Sequence, residues 1–234
     1  MKDFKAVIFD MDGVIFDTEK LYLDCCVEIG EKYELEHVEE ACFRCIGITS
    51  EASARIMYEV FGDDFPLDSF RGEVDELFRA RFDERLPIKP GVRELLTYLK
   101  GEGYKVAIAS STKKESVKKE LAQAKFLDFF DEIICGDMVE RSKPNPDIFL
   151  KAAECLGVAP DSCIVIEDSY NGIRAASAAG MFSFMVPDML KPDDEMRSKA
   201  SVILDSLMDV KEYMRHKCQK SNCVPACRKS SLTL

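Results

Sequence analysis

The sequence predicts an α/β protein, a doubly wound parallel sheet with a helical module inserted after the first strand. Three observations carry that prediction. Short β-branched and aromatic runs recur at residues 5–9, 104–109, 132–135, 163–166, 182–186 and 202–204, each of strand rather than helix length. From Gly91 onward these runs alternate with helical patterns, as β-α units of a parallel sheet do. Between residues 17 and 86 no strand pattern occurs, and helical periodicity takes over.

Taken in order, the first strand is Lys5-Ala-Val-Ile-Phe9, apolar along its length. Asp17 and Thr18 read as the cap of a first helix whose apolar face includes Leu21, Val27 and Ile29. The run Ile46-Gly47-Ile48-Thr49-Ser50 breaks the pattern, with Thr49 or Ser50 capping a second long helix through Val60. A second break at 62–66 precedes a charged amphipathic helix over 67–86, and Pro87, Pro90 and Gly91 punctuate the return. Helices are then expected over 92–100, 113–124, 147–156 and 173–179, with Gly157 and Gly180 where C-caps fall. This places core segments at 1–16 and 87–217, the helical module at 17–86 and a flexible tail at 218–234.

Composition narrows the function. At 234 residues and 47% hydrophobic content the chain can bury one sizeable core plus a smaller one. A net charge of −11 argues against nucleic acid or an anionic membrane as partner. It leaves room for a small anion held by local lysines and a metal. No stretch has the length of a membrane span, and the N-terminus runs into the first strand without a signal-peptide pattern, so a cytoplasmic location is expected. Nothing in the sequence sets an oligomeric state, and a monomer suffices. Cys25, Cys26, Cys135, Cys155 and Cys163 lie in apolar patterns where thiols act as small hydrophobes. Cys42 and Cys45 have Cys-x-x-Cys spacing without a second pair, and His216, Cys218, Cys223 and Cys227 match no metal spacing.

The chemistry gathers at strand ends. Asp10-Met11-Asp12-Gly13 leaves the first strand, and two acids so close favour an intervening cation, since like charges otherwise repel. In open parallel sheets the carboxyl ends of strands are where ligands bind. Ser110-Ser111-Thr112 follows the second strand, with a helix start whose N–H groups suit an anion. As helix N-caps, Ser111 and Thr112 also have a purely structural explanation. Lys143 sits in the loop Ser142-Lys143-Pro144-Asn145-Pro146-Asp147, before a helix. Glu167-Asp168-Ser169 and Asn171-Gly172 leave a further strand, Gly172 suiting a close backbone approach.

Carboxylate pair, hydroxyl, lysine and carboxylate pair, in that order at strand ends, resemble the haloacid dehalogenase-like superfamily and most closely its phosphatase and phosphomutase branch. The resemblance spans residues 4–210 and implies that 17–86 is a helical cap domain over the active site. It assigns Asp10 as nucleophile, forming an aspartyl-phosphate, and Asp12 as acid for the leaving alcohol and then base for water. It makes Ser110 the hydroxyl that binds a phosphoryl oxygen, with Ser111 and Thr112 as rivals and Thr18 as a further substrate contact. Lys143 would balance nucleophile and phosphoryl charge. Asp10, the Asp12 backbone carbonyl, Asp168 and Glu167 would hold Mg²⁺, whose preference for few carboxylates and retained water fits that set. The implied substrate is a small phosphorylated metabolite, a sugar phosphate first.

Two departures bear on hydrolysis against transfer. The mutases carry a histidine where Tyr22 stands, and an arginine just after the cap glycine, where this chain has Gly47 followed by Ile48-Thr49-Ser50. Lacking that cation, an aspartyl-phosphate is expected to go to water. A phosphonate hydrolase, which needs a cap lysine in a desolvated pocket, fits poorly, because Lys20 and Lys32 lie in polar helical context.

Overall fold

Six parallel strands form one sheet in the order β3-β2-β1-β4-β5-β6. The strands are β1 (Ala6–Phe9), β2 (Lys105–Ser110), β3 (Glu132–Cys135), β4 (Cys163–Glu167), β5 (Phe182–Met185) and β6 (Val202–Ile203). The computed structural model describes residues 4–46, 50–84 and 86–221. The chain winds outward from β1 through β2 to β3, returns to the other side of β1 as β4, and continues to β6. The order therefore reverses between β1 and β4, the switch point at which such sheets open a crevice.

Alternation along each strand feeds two cores. Val7 and Phe9 join a cluster with Leu95, Leu99, Val117, Leu121 and Val210. Those partners come from α5 (Val92–Gly101), α6 (Lys114–Gln123) and α10 (Leu207–Ser221). Ala6 and Ile8 face the opposite way, against Ile148, Phe149, Ala152 and Ala176. These lie on α7 (Asp147–Leu156) and α8 (Tyr170–Ala178). Burial on both faces is why the strands read as continuous apolar runs rather than alternating ones.

Four helices fill the insertion: α1 (Thr18–Lys32), α2 (Val38–Phe43), α3 (Ser50–Phe61) and α4 (Leu67–Glu84). They share a core of their own, including Leu23, Cys26, Val38, Met57, Phe70 and Val74. Two linkers join them to the sheet as a paired crossing, Asp17 N–H to Pro87 O at 2.7 Å and Lys89 N–H to Ile15 O at 2.9 Å.

Several expectations need correction. The inward face of α1 is Leu23, Cys25, Cys26 and Gly30, while Leu21 and Ile29 are only partly buried against the same core. Thiols carry that stripe, so a count of larger aliphatics rotates it. Asp17 stands at the N-cap but makes no capping bond. Its carboxylate instead lies 4.0 Å from Lys89 Nζ. The six-residue α2, together with α9 (Asp194–Lys199) and α10, was not expected. The helix after β4 starts at Tyr170, three residues early, because Ser169 caps it by accepting from Gly172 N–H at 3.0 Å. Helix α10 runs through Ser221, past the expected start of the tail, and residues 222–234 lie outside the described residues, as do Gly47, Ile48 and Thr49. The seven described cysteines whose side chains are placed are all free thiols, and Cys155 is exposed rather than packed.

Candidate active site

The crevice at the switch point is lined by Asp10, Asp12, Glu19, Ser111, Lys143, Asp168, Ser169 and Asn171. Asp10 follows β1 and is 7% exposed; its N–H extends the sheet to Ile166 O at 2.9 Å. Lys143 reaches in from the loop before α7, with its ammonium between two carboxylates. It pairs with Asp10 Oδ1 and donates to Glu167 Oε1 at 2.7 Å. Burial alone would pull the lysine down, yet the Asp10 and Glu167 carboxylates hold it above the ordinary lysine value. Burial pushes Asp10 up to about 8 against the pull of Lys143, with Glu167 adding to the rise.

Glu167 is fully buried at the end of β4, and its second oxygen accepts from Ser169 N–H at 2.8 Å and Ser169 Oγ at 2.9 Å. The carboxylate thereby fixes both the lysine and the loop after β4. Gly172 makes this possible, since a Cβ there would lie 1.7 Å from Glu167 Oε1. Next to it, Asp168 is 5% exposed and its Oδ1 is buried without a hydrogen-bond partner. Burial, then the charges of Glu167, Asp10, Glu19 and Asp188, push its carboxyl well above the usual range. Gly13 turns with φ +78°, and a Cβ on it would meet Asp168 Oδ2 at 2.2 Å. Asn171 is tied by its Oδ1, which accepts from Arg174 at 3.0 Å.

A buried, unpartnered carboxylate oxygen is costly unless a cation meets it. Asp10, Glu167 and Asp168 offer ligand atoms all within 4.8 Å of one another, and Glu19, Asp168 and Asp188 form a second such group. The oxygen-only donors suit a hard divalent ion.

Asp12 behaves differently. Its Oδ2 accepts from Thr112 Oγ1 at 3.0 Å. Burial raises its carboxyl, while Thr112 and the nearby Thr18 hydroxyl partly offset the rise. Thr18 opens α1, is buried and lines the cap cavity beside the crevice. Ser110 does not reach the crevice: it is fully buried, and its Oγ accepts from Thr112 N–H at 3.0 Å. The hydroxyl exposed there is that of Ser111. Neither Ser111 nor Thr112 caps α6, whose N-cap is Lys113 without a side-chain bond. Two groups escaped the sequence reading. Glu19 is pushed up to about 7 by burial and by Asp188, and it lines both the crevice and the cap cavity. Arg71, on α4, brings a guanidinium into the cap wall, so a cap cation comes from a segment well after Gly47 in the sequence.

Four segments distant in sequence thus deliver acids, a hydroxyl and a lysine to one crevice beneath a helical insertion, the layout of an α/β hydrolytic enzyme. The chain belongs to the haloacid dehalogenase-like hydrolase family, in its phosphatase and β-phosphoglucomutase-like branch; the family model matches residues 7–186. The phosphorylated carbohydrates phosphatase of Thermotoga maritima is 36% identical over 177 residues, 76% of this chain and 82% of that protein. The β-phosphoglucomutase of Bacillus subtilis is 32% identical over 222 residues, 90% of this chain and 97% of its own length. A solved family hydrolase from Deinococcus radiodurans, with bound phosphate and sodium, superposes with a TM-score of 0.79 at 26% identity, covering 92% of this chain and 97% of that one.

Proposed function

We propose that this enzyme hydrolyses a small organic monophosphate, a phosphorylated sugar first among them, through an aspartyl-phosphate on Asp10 with Mg²⁺ as cofactor. The observation that carries the proposal is the placing of Lys143 between Asp10 and Glu167 beside the orphaned Asp168 oxygen. Asp10 Oδ attacks phosphorus while Asp12, raised by burial and so able to hold a proton, gives it to the departing alcohol. Asp12 then takes a proton from water, which attacks the acyl-phosphate and frees inorganic phosphate and Asp10. Lys143 stays charged throughout and neutralises the oxygens that gather negative charge. Ser111, which lines the crevice, binds one of them in this reading. Asp10, Asp168, Glu167 and the Asp12 carbonyl are the residues we assign to Mg²⁺, which supplies positive charge to the phosphoryl group when bound.

Hydrolysis is supported by the phosphorylated carbohydrates phosphatase of Thermotoga maritima among the relatives. No described helix is long and apolar enough to cross a membrane. We assign the enzyme to the cytoplasm, with a small phosphorylated metabolite as partner. One observation favours a second reading, transfer within a sugar phosphate: Arg71 puts a cation in the cap. Against it, Tyr22 occupies the first cap helix where the mutases carry a histidine. Phosphate release and isomer formation, followed together over a monophosphate panel that includes β-glucose 1-phosphate, separate the two. Phosphate release abolished in Asp10→Asn supports hydrolysis; isomerisation with little free phosphate overturns it.

A further inference from the structure

Lys143 comes from a loop and not from a strand, so its ammonium stands where that loop holds it. The loop is closed at its neck. The Arg141 guanidinium donates from Nε to Asp147 Oδ2 at 2.9 Å and from Nη2 to Asp147 Oδ1 at 2.7 Å. Such a fork fixes orientation as well as distance. Asp147 is the first residue of α7, and its carboxylate also accepts from the Arg141 backbone N–H. Inside the neck, Ser142 O accepts from Asn145 N–H at 3.0 Å and from Asn145 Nδ2 at 3.1 Å, a turn with Lys143 as its second residue. Helix α7 is firmly seated, since Ile148 and Phe149 belong to the core on one face of the sheet. Lys143 Nζ stands over the Phe149 ring, 5.1 Å from its centroid. One helix start therefore grips the root of the loop through Asp147 and supports the ammonium through Phe149.

Resting on the phosphatase reading, we propose that Arg141 and Asp147 are positioning residues that set the Lys143 ammonium against Asp10 and Glu167 for phosphoryl transfer. Neither lines the crevice, so both act through Lys143. The fork adds little to folding, because Arg141 is 64% exposed and exposed ion pairs are weak. What it restricts is the freedom of residues 142–146. With the neck open, Lys143 keeps its charge but loses its single fixed approach to the phosphoryl oxygens.

The test pairs turnover with a readout on Lys143 itself. For the Mg²⁺-loaded enzyme acting on 4-nitrophenyl phosphate, Arg141→Ala and Asp147→Asn should each lower kcat about tenfold. Arg141→Lys, which keeps the charge without the fork, should recover only part of the loss. Melting temperatures should stay close to the wild type. In protein carrying lysine labelled with ¹³C at Cε, the Lys143 signal is assigned by its loss in Lys143→Arg. That signal should shift or broaden in Arg141→Ala. An unmoved Lys143 signal, a wild-type kcat, or a kcat loss that vanishes once corrected for folded fraction overturns the proposal. The spectrum needs no turnover. If the wild type hydrolyses neither 4-nitrophenyl phosphate nor any of the monophosphate panel, the phosphatase reading falls alone. A displaced Lys143 signal in Arg141→Ala then still supports the hold of the fork on the ammonium, and an unmoved one removes it.

Discussion

Thr112 Oγ1 donates to Asp12 Oδ2 at 3.0 Å, joining the loop after β2 to the acid after β1. This bond lowers the Asp12 carboxyl against the rise that burial imposes. Thr112→Val keeps the shape and removes the donor. The Asp12 pKa then climbs further, so the carboxylate needed as base for water is populated only at higher pH. The acid limb of the kcat–pH profile should move upward, with kcat at neutral pH down about tenfold, the scale of one hydrogen bond to a charged group. Thr112→Ser should restore the profile. An unmoved acid limb in Thr112→Val would falsify the assignment of Asp12 as the titrating base.

Gly172 and Glu167 make a second check. A Cβ on residue 172 would lie 1.7 Å from Glu167 Oε1, the oxygen that holds Lys143. Gly172→Ala must therefore displace Glu167, and through it Lys143. Turnover should fall at least about a hundredfold, as misplacement near the reacting centre does. Because alanine favours the helix in which residue 172 sits, the loss of stability should be smaller than the loss of activity. Thermal unfolding and kcat measured on the same preparation decide it; collapse of both together would mean that Gly172 serves the fold alone.

Much of this was legible in the sequence because the sheet is parallel and covered on both sides. Such strands show as short apolar runs, and their polar exits, Asp10, Ser110, Lys143 and Glu167 with Asp168, stand out against them. The details that escaped depend on tertiary approach. Ser110 and Ser111 differ by one residue, and alternation past a strand end sends one inward to Thr112 N–H and the other to the crevice. Helix α2 has six residues and buries Val38, Ala41 and Cys42, too short a stripe for periodicity to reveal. Arg71 looks like one more charge on an amphipathic helix, and only the packing of α4 against α1 brings it into the cap wall.

Proton linkage at Asp10 gives a third prediction. Burial pushes its carboxyl up to about 8 even beside Lys143, so ionising it near neutral pH is costly until a metal ion adds its charge. A metal ligand must be ionised, so binding releases the proton. The sign follows: Mg²⁺ binding weakens as pH falls through about 8 and Asp10 regains its proton, and Asp168, raised likewise, acts in the same direction. From pH 8 to 6 the apparent affinity should drop by up to about tenfold per unit for each displaced proton. Calorimetry in two buffers of different ionisation enthalpy reports the proton directly. A pH-independent affinity with no proton release removes Asp10 from the ligand set.

Asp168 closes the argument with a readout that needs no turnover. Its Oδ1 is buried without a partner, and neighbouring acids add to the cost of ionising it. An acid whose folded pKa is raised destabilises the folded state as pH rises through the window between its unfolded and folded values. Asp168→Asn keeps the shape and removes the ionisation. The metal-free variant should melt no lower than the metal-free wild type at pH 8. Mg²⁺ at a hundred times its Kd should stabilise the wild type by about 2.7 kcal/mol, as a ligand that binds only the folded protein does. For a chain of this size that is a shift of about 5–10 °C. The variant should lose most of it. If Asp168→Asn gains the same Mg²⁺-induced shift as the wild type, Asp168 leaves the ligand set, and the cation is held by neither acidic group as drawn, since both include Asp168.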